Sequence, residues 1–179
     1  MLPAADILVT HGTVLTMDAA GTRIDDGAVA IAGDRILAAA PAERLAGVQA
    51  KRVIDAHGGI IMPGLVNTHT HAAMTCFRGL ADDLPLMTWL NDHIFPAEAR
   101  LTPEMVTKGA LLGCAEMILS GTTCFCDMYL FEEAVARAAH AAGLRAVVGE
   151  VLFDFPSPNY GAPENGLAYT RRMAAKWAG

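Results

Sequence analysis

One stretch of the sequence decides the fold: Met62-Pro63-Gly64-Leu65-Val66-Asn67-Thr68-His69-Thr70-His71. Proline and glycine interrupt the preceding structure, and the β-prone run after them predicts a short strand. Residues two apart on a strand project from the same face, so the imidazoles of His69 and His71 should point the same way. Neutral imidazole is a common metal ligand, and catalytic zinc takes about three protein ligands plus an open position. We interpret the pair as half of a zinc-type site, the alternative being two surface histidines on a loop.

The sequence before this stretch predicts a small β-sheet portion over residues 1–60. Short β-prone runs are separated by glycine and aspartate turns, a spacing typical of a β-meander. These runs cover residues 6–10, 13–17, 28–31, 35–39 and 52–55, and one helical turn is predicted over 41–45.

From residue 61 to 179 the pattern alternates strands with helices, which predicts parallel βα units of the α/β class. The predicted strands are 65–70, 122–127 and 144–152, and the predicted helices are 86–95, 102–120, 131–142 and 164–178. A (β/α)8 barrel needs about eight such units. With about three, the chain is expected to be the N-terminal part of a larger, barrel-forming protein.

The composition excludes several classes of protein. The 179 residues are 53% hydrophobic and 18% charged, which is typical of a soluble enzyme with a large core. No apolar run reaches membrane-spanning length and no secretion signal opens the chain, so we expect a cytoplasmic protein without a membrane partner. The net charge of −6 argues against binding to nucleic acid.

The four cysteines are predicted to be reduced thiols with packing roles, since nothing in the sequence indicates secretion. Cys124 and Cys126, with Cys114 nearby, do not match structural zinc sites, whose paired cysteines are usually separated by about two to four residues. Small apolar residues in a buried strand are the favoured interpretation.

Two acids close predicted strands, where the chemistry of βα barrels takes place. Asp127 has two roles open to it: orienting a metal-binding histidine, or accepting hydrogen bonds from backbone amides at the start of a loop. Strand alternation places it on the face opposite Cys124 and Cys126, which makes it the best candidate on that strand for facing the barrel interior. Glu150 has the same two options, and the structural one is favoured.

Arg78 lies seven residues after His71, in the loop above the predicted site. A loop arginine at this place has two interpretations. It contacts a substrate, or it pairs with Asp82 or Asp83, and the ion pair is the favoured one.

Longer motifs resemble the amidohydrolase superfamily. Residues 53–56 and 61–71 are similar to its opening, and three further segments are similar to its deaminase and chlorohydrolase branch. Those segments are Arg78-Gly79-Leu80-Ala81-Asp82-Asp83-Leu84-Pro85-Leu86-Met87-Thr88-Trp89-Leu90, Ile94-Phe95-Pro96-Ala97-Glu98 and residues 116–117 together with 121–129. Within this branch the chain most resembles the 5-methylthioadenosine/S-adenosylhomocysteine deaminases, over about residues 5–155.

The resemblance implies a (β/α)8 barrel beside a β-sandwich and one divalent metal per subunit, usually zinc. It implies that His69 and His71 are the first two metal ligands. The other ligands and the acidic proton shuttle are expected beyond residue 179, so no catalytic residue is assigned within the chain. Trp89, with Arg78 and Asp127, is a candidate for contact with the substrate or for support of the site.

The implied activity is hydrolysis of a non-peptide carbon–nitrogen bond. The amino group of a purine nucleoside such as 5-methylthioadenosine or S-adenosylhomocysteine would leave as ammonia. Alternatives within the superfamily are a triazine-type chlorohydrolase and a guanine-type deaminase. An alternative of a different class is a non-catalytic, truncated fragment. A small-molecule substrate is expected, and homo-oligomer formation is left open.

Overall fold

A computed structural model describes residues 3–177. The chain divides between Pro63 and Gly64 into two compact units. The first contains a five-stranded mixed sheet with one short helix: β1 (Ala5–Leu15), β2 (Arg23–Ala32), β3 (Arg35–Pro41), α1 (Ala42–Leu45), β4 (Ala50–Asp55) and β5 (Ile60–Ile61). Strands β1 to β3 form an antiparallel meander, as predicted, whereas β4 and β5 pair with β1 in parallel.

Strand β1 joins two runs that the sequence predicts as separate strands. Gly12 is predicted as a turn, yet β1 continues through it, and the pairing with β2 is irregular between Val9 and Gly12 and again between Gly12 and Val14. His11 has a φ of 54°, a left-handed conformation that bulges tolerate. The sheet therefore absorbs the predicted turn as a local irregularity, because pairing with β2 continues on both sides.

The second unit contains a three-stranded parallel sheet, in the order β6 (Leu65–Thr70), β7 (Thr122–Tyr129) and β8 (Arg145–Glu150). Helix α4 (Pro103–Leu119) connects β6 to β7, α5 (Glu132–Ala142) connects β7 to β8, and α6 (Gly166–Trp177) follows β8. The predicted α/β class with parallel units is thus confirmed. None of the helices within residues 3–177 is both long and apolar enough to cross a bilayer.

The ends of these helices follow local signals. The Thr102 hydroxyl accepts a hydrogen bond from the Met105 amide (3.3 Å), and Pro103 occupies the first helical position, where its missing N–H costs nothing. Gly121 and Gly143 follow α4 and α5 with φ of 83° and 75°, the left-handed conformation that glycine adopts without strain.

The helical structure that begins at Leu86 is longer than the helix predicted over residues 86–95. It was expected to stop before Pro96, but helical structure continues through α2 (Leu86–Thr88), a π-helical segment (Trp89–Ile94) and α3 (Phe95–Glu98). Pro96 lies in the first turn of α3, where a proline N–H is not needed. The wider π turn before it accommodates the change in hydrogen bonding. This continuation brings Glu98 into the molecule's interior.

The main core lies between the parallel sheet and helices α4 and α5. Its fully buried side chains include Val106, Ala110, Phe125 and Val135. Helix α4 also packs closely on a 3₁₀ segment, Ala72–Phe77, which directly follows the histidine pair. A Cβ atom on Gly109 would lie 2.5 Å from the carbonyl oxygen of Ala73, so only glycine permits this approach.

We expect Gly109→Ala to destabilise the protein by about 1–3 kcal/mol, the usual cost of overpacking, despite the better helix propensity of alanine. Thermal unfolding would measure the loss. Gly47→Ala is the matched control, because a Cβ on Gly47 meets nothing within 4 Å. Equal stability of the two variants would contradict the packing argument.

Candidate functional site

His69 and His71 come together at the carboxyl end of the first parallel strand. Strand β6 ends at Thr70, so His69 lies within it and His71 directly follows it. The two ring centroids are 5.2 Å apart and the rings are nearly perpendicular, at 78°. The predicted convergence of the two imidazoles is therefore observed, at the strand end where βα proteins place their chemistry.

A backbone carbonyl on the neighbouring strand orients His71. Its Nδ1 lies 2.5 Å from the carbonyl oxygen of Met128. A carbonyl can only accept, so Nδ1 carries the proton and donates. In a neutral imidazole the lone pair is then on Nε2. Metal-binding histidines are commonly oriented by such a bond, so His71 presents the tautomer that a metal ligand needs.

Asp127 does not play the orienting role. Its carboxylate accepts the Ala72 amide hydrogen with both oxygens, at 3.1 and 3.2 Å. The side chain is 2% exposed, and burial raises its pKa to about 6, against the opposing effect of the Ala72 amide. Of the two roles that the sequence left open, the structure supports the bond to a loop amide, which anchors the segment directly after His71.

The expected orientation of Asp127 toward the barrel interior is wrong. Phe125, Asp127 and Tyr129 are buried, whereas Cys126 and Met128 on the opposite face of β7 are exposed. Alternation along the strand was predicted correctly. The prediction assigned the two faces of β7 the wrong way round, because the helices cover the face that carries Asp127.

The cysteines remain free thiols. Cys114 is buried, and burial raises the pKa of its thiol; Cys124 is half-buried. Cys126 and Cys76 are exposed, so the prediction that Cys126 lies in a buried strand is wrong in this unit. Within residues 3–177, no three His, Cys, Asp or Glu side chains are arranged to hold a metal ion.

Arg78 forms an ion pair, but not with the predicted partner. Its guanidinium contacts both carboxylate oxygens of Glu116, at 2.9 and 2.8 Å, rather than Asp82 or Asp83. The pair links the loop after the histidines to α4. A bidentate pair of this kind uses two of the N–H donors at the edge of the guanidinium.

A cavity of about 200 Å³ opens beside His71. Trp89, from the π-helical segment, lies in its wall, so this sequence-predicted candidate and His71 share one cavity. The remaining wall is mostly apolar, with two polar exceptions, Glu98 and Tyr129: Met74, Leu90, Ile94, Phe95, Glu98, Met128, Tyr129, Leu130, Val151 and Phe153. Apolar walls with a few placed polar groups are typical of small-molecule sites.

Glu98 and Tyr129 were missed as site residues by sequence reasoning. They are only 7% and 6% exposed. Burial raises the pKa of the Glu98 carboxyl, while the Tyr129 hydroxyl and His71 act in the opposite direction. In the sequence, Glu98 is the one charged residue of the segment 94–98, and this could have indicated a functional role. It was not considered because the helix was expected to stop before Pro96.

Glu150 has the structural role that the sequence favoured. Its carboxylate accepts hydrogen bonds from the amides of Phe131 (3.3 Å) and Glu132 (2.9 Å), at the start of α5. An anion at a helix N-terminus satisfies free amides there. Phe131 has a left-handed backbone conformation with a φ of 57°. The two hydrogen bonds to Glu150 stabilise this conformation.

The described unit is thus a parallel α/β sheet with two histidines at the end of one strand, and His71 lies beside a mostly apolar cavity. The amidohydrolase family matches residues 60–179, and the chain belongs to this family. It is 63% identical over 174 residues to a 5-methylthioadenosine/S-adenosylhomocysteine deaminase of Syntrophobacter fumaroxidans, covering 97% of this chain and 40% of the relative. It is 48% identical over 179 residues to a 5'-deoxyadenosine deaminase of Methanosarcina mazei, covering 98% and 39%.

Among solved structures, an adenosine deaminase from Xanthomonas campestris with bound zinc superposes with a TM-score of 0.93 at 37% identity. The match covers 99% of this chain and 41% of that one. The chain thus spans about 40% of the length of the relatives that it matches.

Proposed function

We propose that the full-length protein, in which these residues form the N-terminal part of a (β/α)8 barrel, is a metal-dependent aminohydrolase. It removes the amino group of an adenosine-type nucleoside, such as 5-methylthioadenosine or S-adenosylhomocysteine, as ammonia. The observation that carries the proposal is the convergence of His69 and His71 at a strand end beside the cavity. Relatives named as deaminases of such nucleosides, and one containing zinc, support it.

The two histidines fit one half of a zinc site. Their chemistry is right, since imidazole nitrogen is a preferred zinc ligand, and the Met128 carbonyl selects the tautomer that leaves Nε2 of His71 free. They would hold the ion together with ligands from later strands. Zinc, when bound, supplies a water whose pKa is lowered toward neutrality. The strand and the anchored 72–77 segment keep both imidazoles in place without rearrangement.

The cavity residues would bind the nucleoside. The Glu98 carboxylate can accept hydrogen bonds from the two ribose hydroxyls, because it is an acceptor for which burial is costly until partners are present. Trp89 offers an aromatic surface for the purine. Both lie in the wall that contains His71, so a bound nucleoside would be held near the metal ligands.

An ammonia-release screen of the zinc-loaded full-length protein tests the proposal. The substrates would be 5-methylthioadenosine, S-adenosylhomocysteine, adenosine, guanine and a chlorotriazine, with metal-stripped protein as the control. We expect ammonia from the adenosine-type compounds only. Ammonia from guanine alone, or chloride from the triazine, would favour the other members of the superfamily.

Residues 1–179 alone are expected to bind zinc weakly and to release no ammonia. Two imidazoles cannot complete the shell of about four ligands that zinc takes, and no third ligand joins them within residues 3–177. Equilibrium dialysis with zinc and the same ammonia assay would measure this. Nucleoside deamination by the isolated chain would show that the catalytic group lies inside it.

A further inference from the structure

We infer that Tyr129 is a positioning residue, whose hydroxyl holds the Glu98 carboxylate in the orientation that receives the ribose hydroxyls. The inference rests on the proposed function, since it assigns Tyr129 a part in recognising the same substrate. It concerns selection of the ribose diol rather than the chemistry of the amino group.

Strand β7 determines where Tyr129 lies. It is the last residue of the strand, on the helix-covered face, and its ring centroid is 6.0 Å from that of His71. The side chain lines the same cavity as His71 and Glu98. Glu98 reaches the same place from the end of α3, because helical structure continues through Pro96.

The Tyr129 hydroxyl has an unsatisfied hydrogen-bonding capacity. It is shielded from solvent and makes no well-formed hydrogen bond to any residue within 3–177. Glu98 and Tyr129 lie in the wall of the same cavity, and burial first and the Glu98 carboxylate second raise the pKa of Tyr129. A buried hydroxyl without a partner is costly, and so is a buried carboxylate. A hydrogen bond between the two side chains would satisfy both groups at once.

The chemistry assigns the direction of the bond. A carboxylate only accepts, so the phenol donates to one Glu98 oxygen and the other oxygen remains for the substrate. Because the hydroxyl itself is out of reach of solvent, Tyr129 would act through Glu98 and not touch the nucleoside. The hydrogen bond from Tyr129 would fix the orientation of the Glu98 carboxylate, which therefore loses less rotational freedom when the diol binds.

The test uses the zinc-loaded full-length protein with Tyr129→Phe, Glu98→Gln and the double variant. Deamination of adenosine would be compared with that of 2′,3′-dideoxyadenosine, which lacks the diol. Tyr169→Phe is the matched control, since it removes the same atom from a tyrosine on α6 that does not line this cavity.

We expect Tyr129→Phe to raise KM for adenosine about tenfold, the effect of one hydrogen bond to a charged group, with kcat nearly unchanged. The dideoxy substrate should be affected little, and the double variant should resemble Glu98→Gln. The control should keep the parental ratio between the two substrates.

Equal losses on both substrates, or additive losses in the double variant, would overturn the inference while leaving the proposed function intact. A parent that deaminates no nucleoside would instead overturn the proposed function, and the inference with it. A drop in kcat alone would also overturn the inference, because orientation of a ribose-binding group acts on binding.

Discussion

Substitution of His71 with alanine should remove most of the bound zinc and abolish ammonia release from the full-length protein, and His69→Ala should do the same. Loss of a group that only supports a metal ligand typically costs about 10–100-fold in affinity or activity, so loss of a ligand itself should cost at least about a hundredfold. The proposed ligand role rests on the two rings lying 5.2 Å apart and, for His71, on its hydrogen bond to the Met128 carbonyl.

Metal analysis and ammonia-release rates on the same samples would measure the effect. His140→Ala is the control, because that imidazole is exposed on α5 and outside the cavity wall. Cys126→Ser tests the competing ligand type. Full zinc content in His71→Ala, with loss of zinc in Cys126→Ser, would show that the thiols and not the imidazoles bind the metal.

Substitution of Glu132 with glutamine should stabilise the protein at neutral pH, increasingly so as pH rises. Glu132 is completely buried, and its two carboxylate oxygens have no hydrogen-bond partner within residues 3–177. Burial, followed by the charges of Asp127 and Glu150, raises its pKa from 4.5 to about 9. The folded protein therefore keeps this carboxyl protonated at pH 7, whereas the unfolded chain ionises it.

The pH dependence of the free energy of unfolding follows from proton linkage. Between about pH 4.5 and pH 9 the Glu132 carboxyl is protonated in the folded protein and ionised in the unfolded chain, so the free energy of unfolding falls as pH rises through this range. At about 1.36 kcal/mol per pH unit, the cost near pH 7 is about 3 kcal/mol. Glutamine has the same shape and does not ionise, so the variant avoids this cost.

Urea unfolding of the full-length protein at several values between pH 5 and 9 would measure the difference. Glu133→Gln is the matched control one residue away, where Lys176 and then Arg137 lower the pKa of the carboxyl. Glu133→Gln removes a carboxylate that forms ion pairs, so it should slightly lower the free energy of unfolding at neutral pH. A Glu132→Gln curve parallel to that of the parent would show that Glu132 is ionised in the folded state.

Several features were predictable from the sequence because their signals are local. The helix ends at Thr102, Gly121 and Gly143 depend on one or two residues each. The alternation of strands and helices follows from hydrophobic periodicity and turn residues over short windows. The prediction that the imidazoles of His69 and His71 point the same way follows from their spacing of two residues along a strand.

Contacts between residues far apart in sequence were decided only by the tertiary structure. Arg78 pairs with Glu116, 38 residues away, and His71 is oriented by a carbonyl 57 residues later. The side of β7 on which Asp127 lies depends on which face the helices cover, and periodicity cannot determine this. Glu98 reaches the cavity because a π turn carries the helix through Pro96, where local propensity favours a stop and packing of the whole segment overrides it.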